Sequence, residues 1–125
     1  MTVAYWCVLV AGILPYAWII LAKSAPGMDN AAPRAFVDTL TGWRQRAAWA
    51  ERNAFEALPL FIAAVVIAHL AGVPQARIDG LALAFIALRI AHGAFYIANR
   101  PSLRSLVWAL AFACMVALFV LAARV

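Results

Sequence analysis

Acidic residues are scarce in this chain. Asp and Glu together number five among 125 residues, and charges of both signs make up only 12%. Soluble domains carry about 25% charged residues, and a chain this short has too little interior to hide a composition that is 68% hydrophobic. A soluble domain is therefore excluded, and so is a disordered chain. Cysteine is nearly absent as well. Cys7 and Cys114 lie in separate apolar runs, with no CxxC and no Cys/His grouping, so neither a disulfide scaffold nor a metal site is indicated. The ten-residue alternation of a transmembrane barrel is missing, as are fixed-period repeats and low-complexity tracts. What is present is a set of long apolar runs, enough for one integral membrane domain.

A bilayer core of about 30 Å takes about 20 helical residues. Four runs meet that length, and the expected fold is an all-α membrane domain over residues 1–125. Its four transmembrane helices are expected over about 2–22, 50–73, 78–99 and 103–123. The first run has no basic residue ahead of it and is too long for a signal-peptide core, so it reads as a retained span.

The connections differ in kind. Lys23 to Arg46 is long and polar. Within it, Pro33 suits the first position of a short helix. Phe36, Val37, Leu40 and Trp43 are expected to share the apolar face of that interfacial segment. The connections at 72–79 and 99–102 are tight. Basic residues divide unevenly: Lys23, Arg34, Arg44, Arg46, Arg52, Arg100 and Arg104 flank connections one and three, against Arg77 and Arg124 on the other side. The excess over acids, ten against five, thus reads as a topology signal and a possible anion site rather than a nucleic-acid surface. By the positive-inside rule connections one and three are cytoplasmic. Both termini would then be periplasmic, in a bacterial inner membrane.

Ionisable groups inside spans are expensive and usually functional. Here they form two stripes. At 100° per residue Arg52, Asn53 and Glu56 share a face of the second long helix beside Trp49 and Leu60. Arg89, His92, Tyr96, Asn99 and Arg100 share an arc of the third. Two stripes at similar depth imply a polar cavity between helices. One reading is a buried Glu56–Arg89 ion pair that fixes packing; the other is an anion-binding cavity, since one Glu faces several arginines. Pro59, three residues past Glu56, frees the carbonyl of Phe55 and is positioned to bend the helix. His69 reads as an interfacial hydrogen-bonding residue. Trp6, Trp18, Trp43 and Trp108 read as interfacial anchors, and Ala63, Ala64, Ala68, Ala71 and Gly72 as helix-packing positions.

The stretch Arg52-Asn-Ala-Phe-Glu-Ala-Leu-Pro-Leu-Phe61 resembles the Asn-x-x-Glu-x-x-Pro-x-Phe signature of the membrane-associated proteins in eicosanoid and glutathione metabolism, the MAPEG family. Arg89-x-x-His-x-x-x-Tyr96 resembles that family's polar stripe on its third span. Asp29-Asn-Ala-Ala-Pro-Arg34 and Leu103-Arg-Ser-Leu-Val-Trp108 are similar to its small bacterial branch. The resemblance implies a four-helix bundle assembled as a homotrimer, with glutathione as thiol co-substrate between subunits near the cytoplasmic face and lipids or other lipophilic electrophiles as second substrates. By the same resemblance Asn53 and Glu56 would hold the peptide part of glutathione, with Glu56 on its α-amino group. Arg89, His92, Arg100 and a neighbour's Lys23 would complete the ligand set. Arg104 would stabilise the thiolate with Tyr96 as hydrogen-bond donor. The chain departs from the pattern at Trp49, where glutathione-using members carry Arg, and at Leu103, one residue before Arg104, where one subgroup carries its activating Arg.

Three functions fit to different degrees: a glutathione-dependent transferase or peroxidase, a non-catalytic protein of the same fold, and a small proton-coupled multidrug exporter. The last depends on a Glu in the first span, which is uncharged here, and arginines around Glu56 would repel cationic drugs. The charge asymmetry sets the first test. A reporter fused at Val125 is expected to be active only when it senses the periplasm; cytoplasmic activity there overturns the assigned topology.

Overall fold

The computed structural model describes residues 1–125. Five helices follow one another: α1 (Val3–Ala22), α2 (Pro33–Asp38), α3 (Gly42–Leu70), α4 (Gln75–Ile97) and α5 (Pro101–Ala122). Four of them, all except α2, are long and apolar enough to cross a membrane. α1 and α5 each pack against both α3 and α4, so the α3–α4 pair is the spine and the other two flank it.

The core is built from small residues and a few large plugs. Ala4, Cys7 and Ala11 of α1 meet Ala64 and Ala68 of α3 and Ala82 of α4. Such residues let backbones approach where lipid supplies no hydrophobic drive for association. Phe61 of α3 and Phe85 of α4 stack with centroids 3.9 Å apart. Only 25 of 125 residues are buried, while Leu, Ile, Val and Trp side chains along α1 and α5 stay exposed. A soluble bundle could not tolerate that surface; a lipid-facing one requires it.

Helix α3 begins at Gly42, well before the expected 50. At 1.5 Å per residue its 29 residues reach about 43 Å, longer than the bilayer core. Its first turns therefore extend beyond the hydrocarbon and carry Arg44 and Arg46. α2 does open at Pro33, but it closes at Asp38, and Trp43 belongs to α3 rather than to the interfacial helix. Leu40, between them, is buried against Ala22, Ala47 and Ala48.

Both tight connections use the same device. After α3 the Gly72 N–H bonds the His69 carbonyl and the Val73 N–H bonds that of Ala68, with Gly72 at φ 81. After α4, Asn99 takes that place at φ 56, its N–H bonding Tyr96 and the Arg100 N–H bonding Phe95. These are Schellman closures, which want a residue that accepts left-handed backbone.

The end of the bundle remote from α2 is tied by polar groups. Asp79 of α4 accepts from the Ala4 N–H (2.8 Å) and from Gln75 Nε2 (2.7 Å), placing a carboxylate at the N-terminus of α1. His69 lies between the Val65 carbonyl (2.8 Å) and Thr2 Oγ1 (3.2 Å) and stacks on Tyr5 at 4.3 Å. At the other end Arg46 Nε donates to the Ile97 carbonyl of α4 (3.1 Å), a cation on a helix C-terminus. Trp18 of α1 is a packing residue there, since its indole covers Gly93 so closely that a Cβ at 93 would run into its six-membered ring. Gly93→Ala should therefore overpack the α1–α4 contact at a cost of about 1–3 kcal/mol. Thermal unfolding in mild detergent should show a lowered midpoint; an unchanged midpoint means that the indole moves aside freely.

Candidate functional site

The two polar stripes of α3 and α4 do face one another. Asn53 and Glu56 lie one turn apart on α3, and Arg89 projects from α4 with 4% of its surface exposed. Arg89 lies eight residues, about 12 Å, inside the end of α4 at Ile97. The contact is not the ion pair that the sequence left open. Arg89 Nη2 donates to Asn53 Oδ1 at 2.8 Å, and Asn53 Nδ2 donates to Glu56 Oε2 at 3.3 Å. Asn53 stands between the charges, and the one salt bridge of the chain is elsewhere, an exposed Arg52–Asp38 contact at 3.3 Å. The amide orientation follows from its neighbours. Turned over, its NH₂ would face guanidinium donors and its oxygen would face a carboxylate.

Three cavities meet at Asn53. The first, about 190 Å³, lies between α3, α4 and α5; Glu56 and Arg89 stand at its polar side and Phe85, Trp108, Phe112 and Met115 form its apolar side. The second, about 410 Å³, is an open hollow bounded by Trp49, Arg52, Asn53, Glu56 and Tyr96. The third, about 230 Å³, is bounded by Asn53, His92, Tyr96, Arg104, Ser105 and Trp108. Glu56 is exposed at the mouth of the first two.

Tyr96 is the hub of the third cavity. The Arg104 guanidinium lies over its ring at 4.5 Å, within cation–π range. His92 meets the ring edge-on at 5.6 Å and Trp49 tilts against it at 6.2 Å. A cation, a phenol and an imidazole thus border a pocket that opens beside a buried guanidinium. Such a group can bind an anion and hold charge that develops on it.

Of the residues singled out in the sequence, Asn53, Glu56, Arg89, His92, Tyr96 and Arg104 come together. Arg100 does not join them within one subunit. α4 ends at Ile97 and Asn99 turns the chain through left-handed backbone, so Arg100 leaves the α4 arc and becomes the exposed residue that precedes α5. Lys23 caps α1 and lines a separate cavity of about 560 Å³ with Arg34, Asp38 and Glu51, across α3 from Glu56. Trp108, expected to be an interfacial anchor, is 44% exposed and also walls two of the three cavities, stacking on Phe112 at 5.5 Å. Its four-residue spacing from Arg104 was the available signal, since both then share one face of α5. Ser105 and Phe112 were not singled out.

Four apolar helices with a charged, hydrogen-bonded relay at their centre define an integral membrane protein with an internal polar site. The chain belongs to the MAPEG family, whose family model matches residues 3–124. No curated protein and no solved structure matches it.

Proposed function

We propose that the three joined cavities bind glutathione and that the protein is a membrane transferase or peroxidase for lipophilic electrophiles. The supporting observation is the charge inventory of the site. Arg52, Arg89 and Arg104 line it against one carboxylate, Glu56: three less one leaves two positive charges. Glutathione in its thiolate form has two carboxylates and a thiolate against one ammonium, a net charge of minus two. Membership of a family linked to glutathione metabolism points the same way. Arg52 is also in an exposed contact with Asp38, which lowers the surplus to one while it is closed, but such surface pairs are weak and open readily to a ligand carboxylate.

In this reading Glu56 receives the α-ammonium, and Arg89, with Asn53 and His92 beside it, the ligand carboxylate. A free thiol has a pKa of about 8.5, so a thiolate at neutral pH requires differential stabilisation. Two pKa units correspond to about 2.7 kcal/mol. Arg104, half-buried over Tyr96, is the cation best placed to supply it, with the Tyr96 hydroxyl as hydrogen-bond donor to sulfur. Arg100, in water, is the alternative. The thiolate attacks an electrophilic carbon and the leaving group departs with its electron pair, or it attacks a peroxide oxygen and the alkoxide takes a proton. The apolar substrate arrives from the bilayer along Trp108, Phe112 and Met115.

A carboxylate on the lipid face of a span is costly, and Glu56 lies on the outer face of one subunit. A homotrimer in which a neighbour covers Glu56 and brings its Lys23 to a ligand carboxylate removes that cost. Trp49 packed against Tyr96, where glutathione-using relatives carry Arg, is the observation that favours a non-catalytic protein of the same fold.

Two experiments decide. Native mass spectrometry in mild detergent should give a trimer, and Glu56→Gln should weaken glutathione binding with that trimer intact. A monomer or dimer, or unaltered binding, removes the corresponding assignment. On mixing with glutathione the parent should give an ultraviolet thiolate signal. Arg104→Ala should raise the apparent thiol pKa, and Arg100→Ala should leave it in place. The opposite pattern moves the role to Arg100, and no thiolate signal in the parent selects the non-catalytic reading.

A further inference from the structure

Glu56 and Arg89 line the same cavity, in surroundings of low dielectric where opposite charges attract far more strongly than in water. They nevertheless do not pair. Arg89 spends its one protein hydrogen bond on the neutral Asn53. Glu56 takes one long hydrogen bond from the other end of the same amide and leaves its carboxylate exposed at the cavity mouth.

We propose that Asn53 is a spacer: its amide, bonded to both charged groups at once, keeps Glu56 from collapsing onto Arg89 and so keeps the carboxylate available to an incoming ammonium group. Each end of the amide dipole matches the charge that it faces, so the relay satisfies both groups without neutralising them. With the amide removed, Glu56 can swing inward across the cavity and close a direct salt bridge. That pair would be buried, hydrogen-bonded and hard to open, and the site would lose its cation-binding group and its surplus charge together. Asn53 is then a positioning residue that acts through Glu56. The ammonium-bearing ligand rests on the glutathione reading above, whereas the spacer is a property of the empty site.

The test uses the full chain in mild detergent without glutathione. Dicyclohexylcarbodiimide modifies carboxyl groups in apolar surroundings and is blocked by a tight salt bridge; labelling of Glu56 is read by mass spectrometry, with Glu56→Gln as the control. The parent should be labelled at Glu56. Asn53→Ala should be labelled several-fold more slowly, and Asn53→Ala/Arg89→Gln, which lacks the buried guanidinium that the relay holds off, should regain the parent rate. Restoration by a second substitution is what general damage to the fold would not produce. Equal or faster labelling of Asn53→Ala overturns the proposal, as does failure of the double variant to recover. A parent already resistant to the reagent also overturns it. A parent that follows the labelling pattern but binds no glutathione leaves the spacer standing and sinks the proposed function instead.

Discussion

A guanidinium inside a four-helix membrane bundle is costly to hold there and needs polar groups of the protein to answer it. Much of the central architecture follows from how Arg89 is answered. A carboxylate in direct contact would neutralise it and leave a packed, inert core, at a net stabilisation close to nil. The chain answers it with the Asn53 amide at 2.8 Å, which satisfies a donor and leaves the charge in place. A retained charge needs room around it, and the α3–α4 spine provides the room. Phe61 stacks on Phe85 below the relay, and the cavities open above and beside it.

Helix ends are engineered around that interior. Arg46 on a carbonyl of the last α4 turn, Asp79 on the Ala4 N–H of the first α1 turn and the two Schellman closures satisfy backbone groups at the helix ends. Each of these groups would otherwise cost free energy in an apolar medium. They also fix register. The end of α4 is held to α3 by Arg46 and its start to α1 by Asp79 on the Ala4 N–H, which restrains the helix on which Arg89 sits.

The two polar stripes were legible in the sequence because charge is so rare in these spans that any ionisable residue stands out, and helical periodicity then places Asn53 with Glu56 and Arg89 with Tyr96. Legibility stopped where a contact depends on something other than period. Arg100 follows the α4 arc on paper, yet Asn99 adopts left-handed backbone and breaks the arc; a tight turn and a continued helix differ by one dihedral there. The early start of α3 was hidden because residues 42–50 carry charges that suit a loop as well as a helix projecting into water. Trp108 near a span end could face headgroups or the bundle, and the rotation of α5 about its axis, set by packing on α4 and α3, leaves it partly outward while it borders two cavities. The choice between an ion pair and a relay turned on interhelical register, which no single-helix pattern contains.

The exposed position of Glu56 ties ligand binding to assembly in the proposed trimer. A carboxylate on the outer face of one subunit, at the mouth of two cavities, is completed by whatever covers that face. A ligand that binds only the covered state stabilises it by mass action, and the covering subunit in turn strengthens each electrostatic contact by excluding lipid and water from it. Lys23 lines a different cavity from Glu56 within one chain, so in the proposed trimer it comes from a neighbour. Arg104 and Tyr96, by contrast, are already stacked within one subunit. The division that follows is physical: the groups proposed to hold the thiolate, the ammonium and one carboxylate are organised within one chain, while the second carboxylate waits for a neighbour's Lys23. The Lys23 contact and the cover over Glu56, rather than thiol activation, are then what dissociation of the proposed trimer removes.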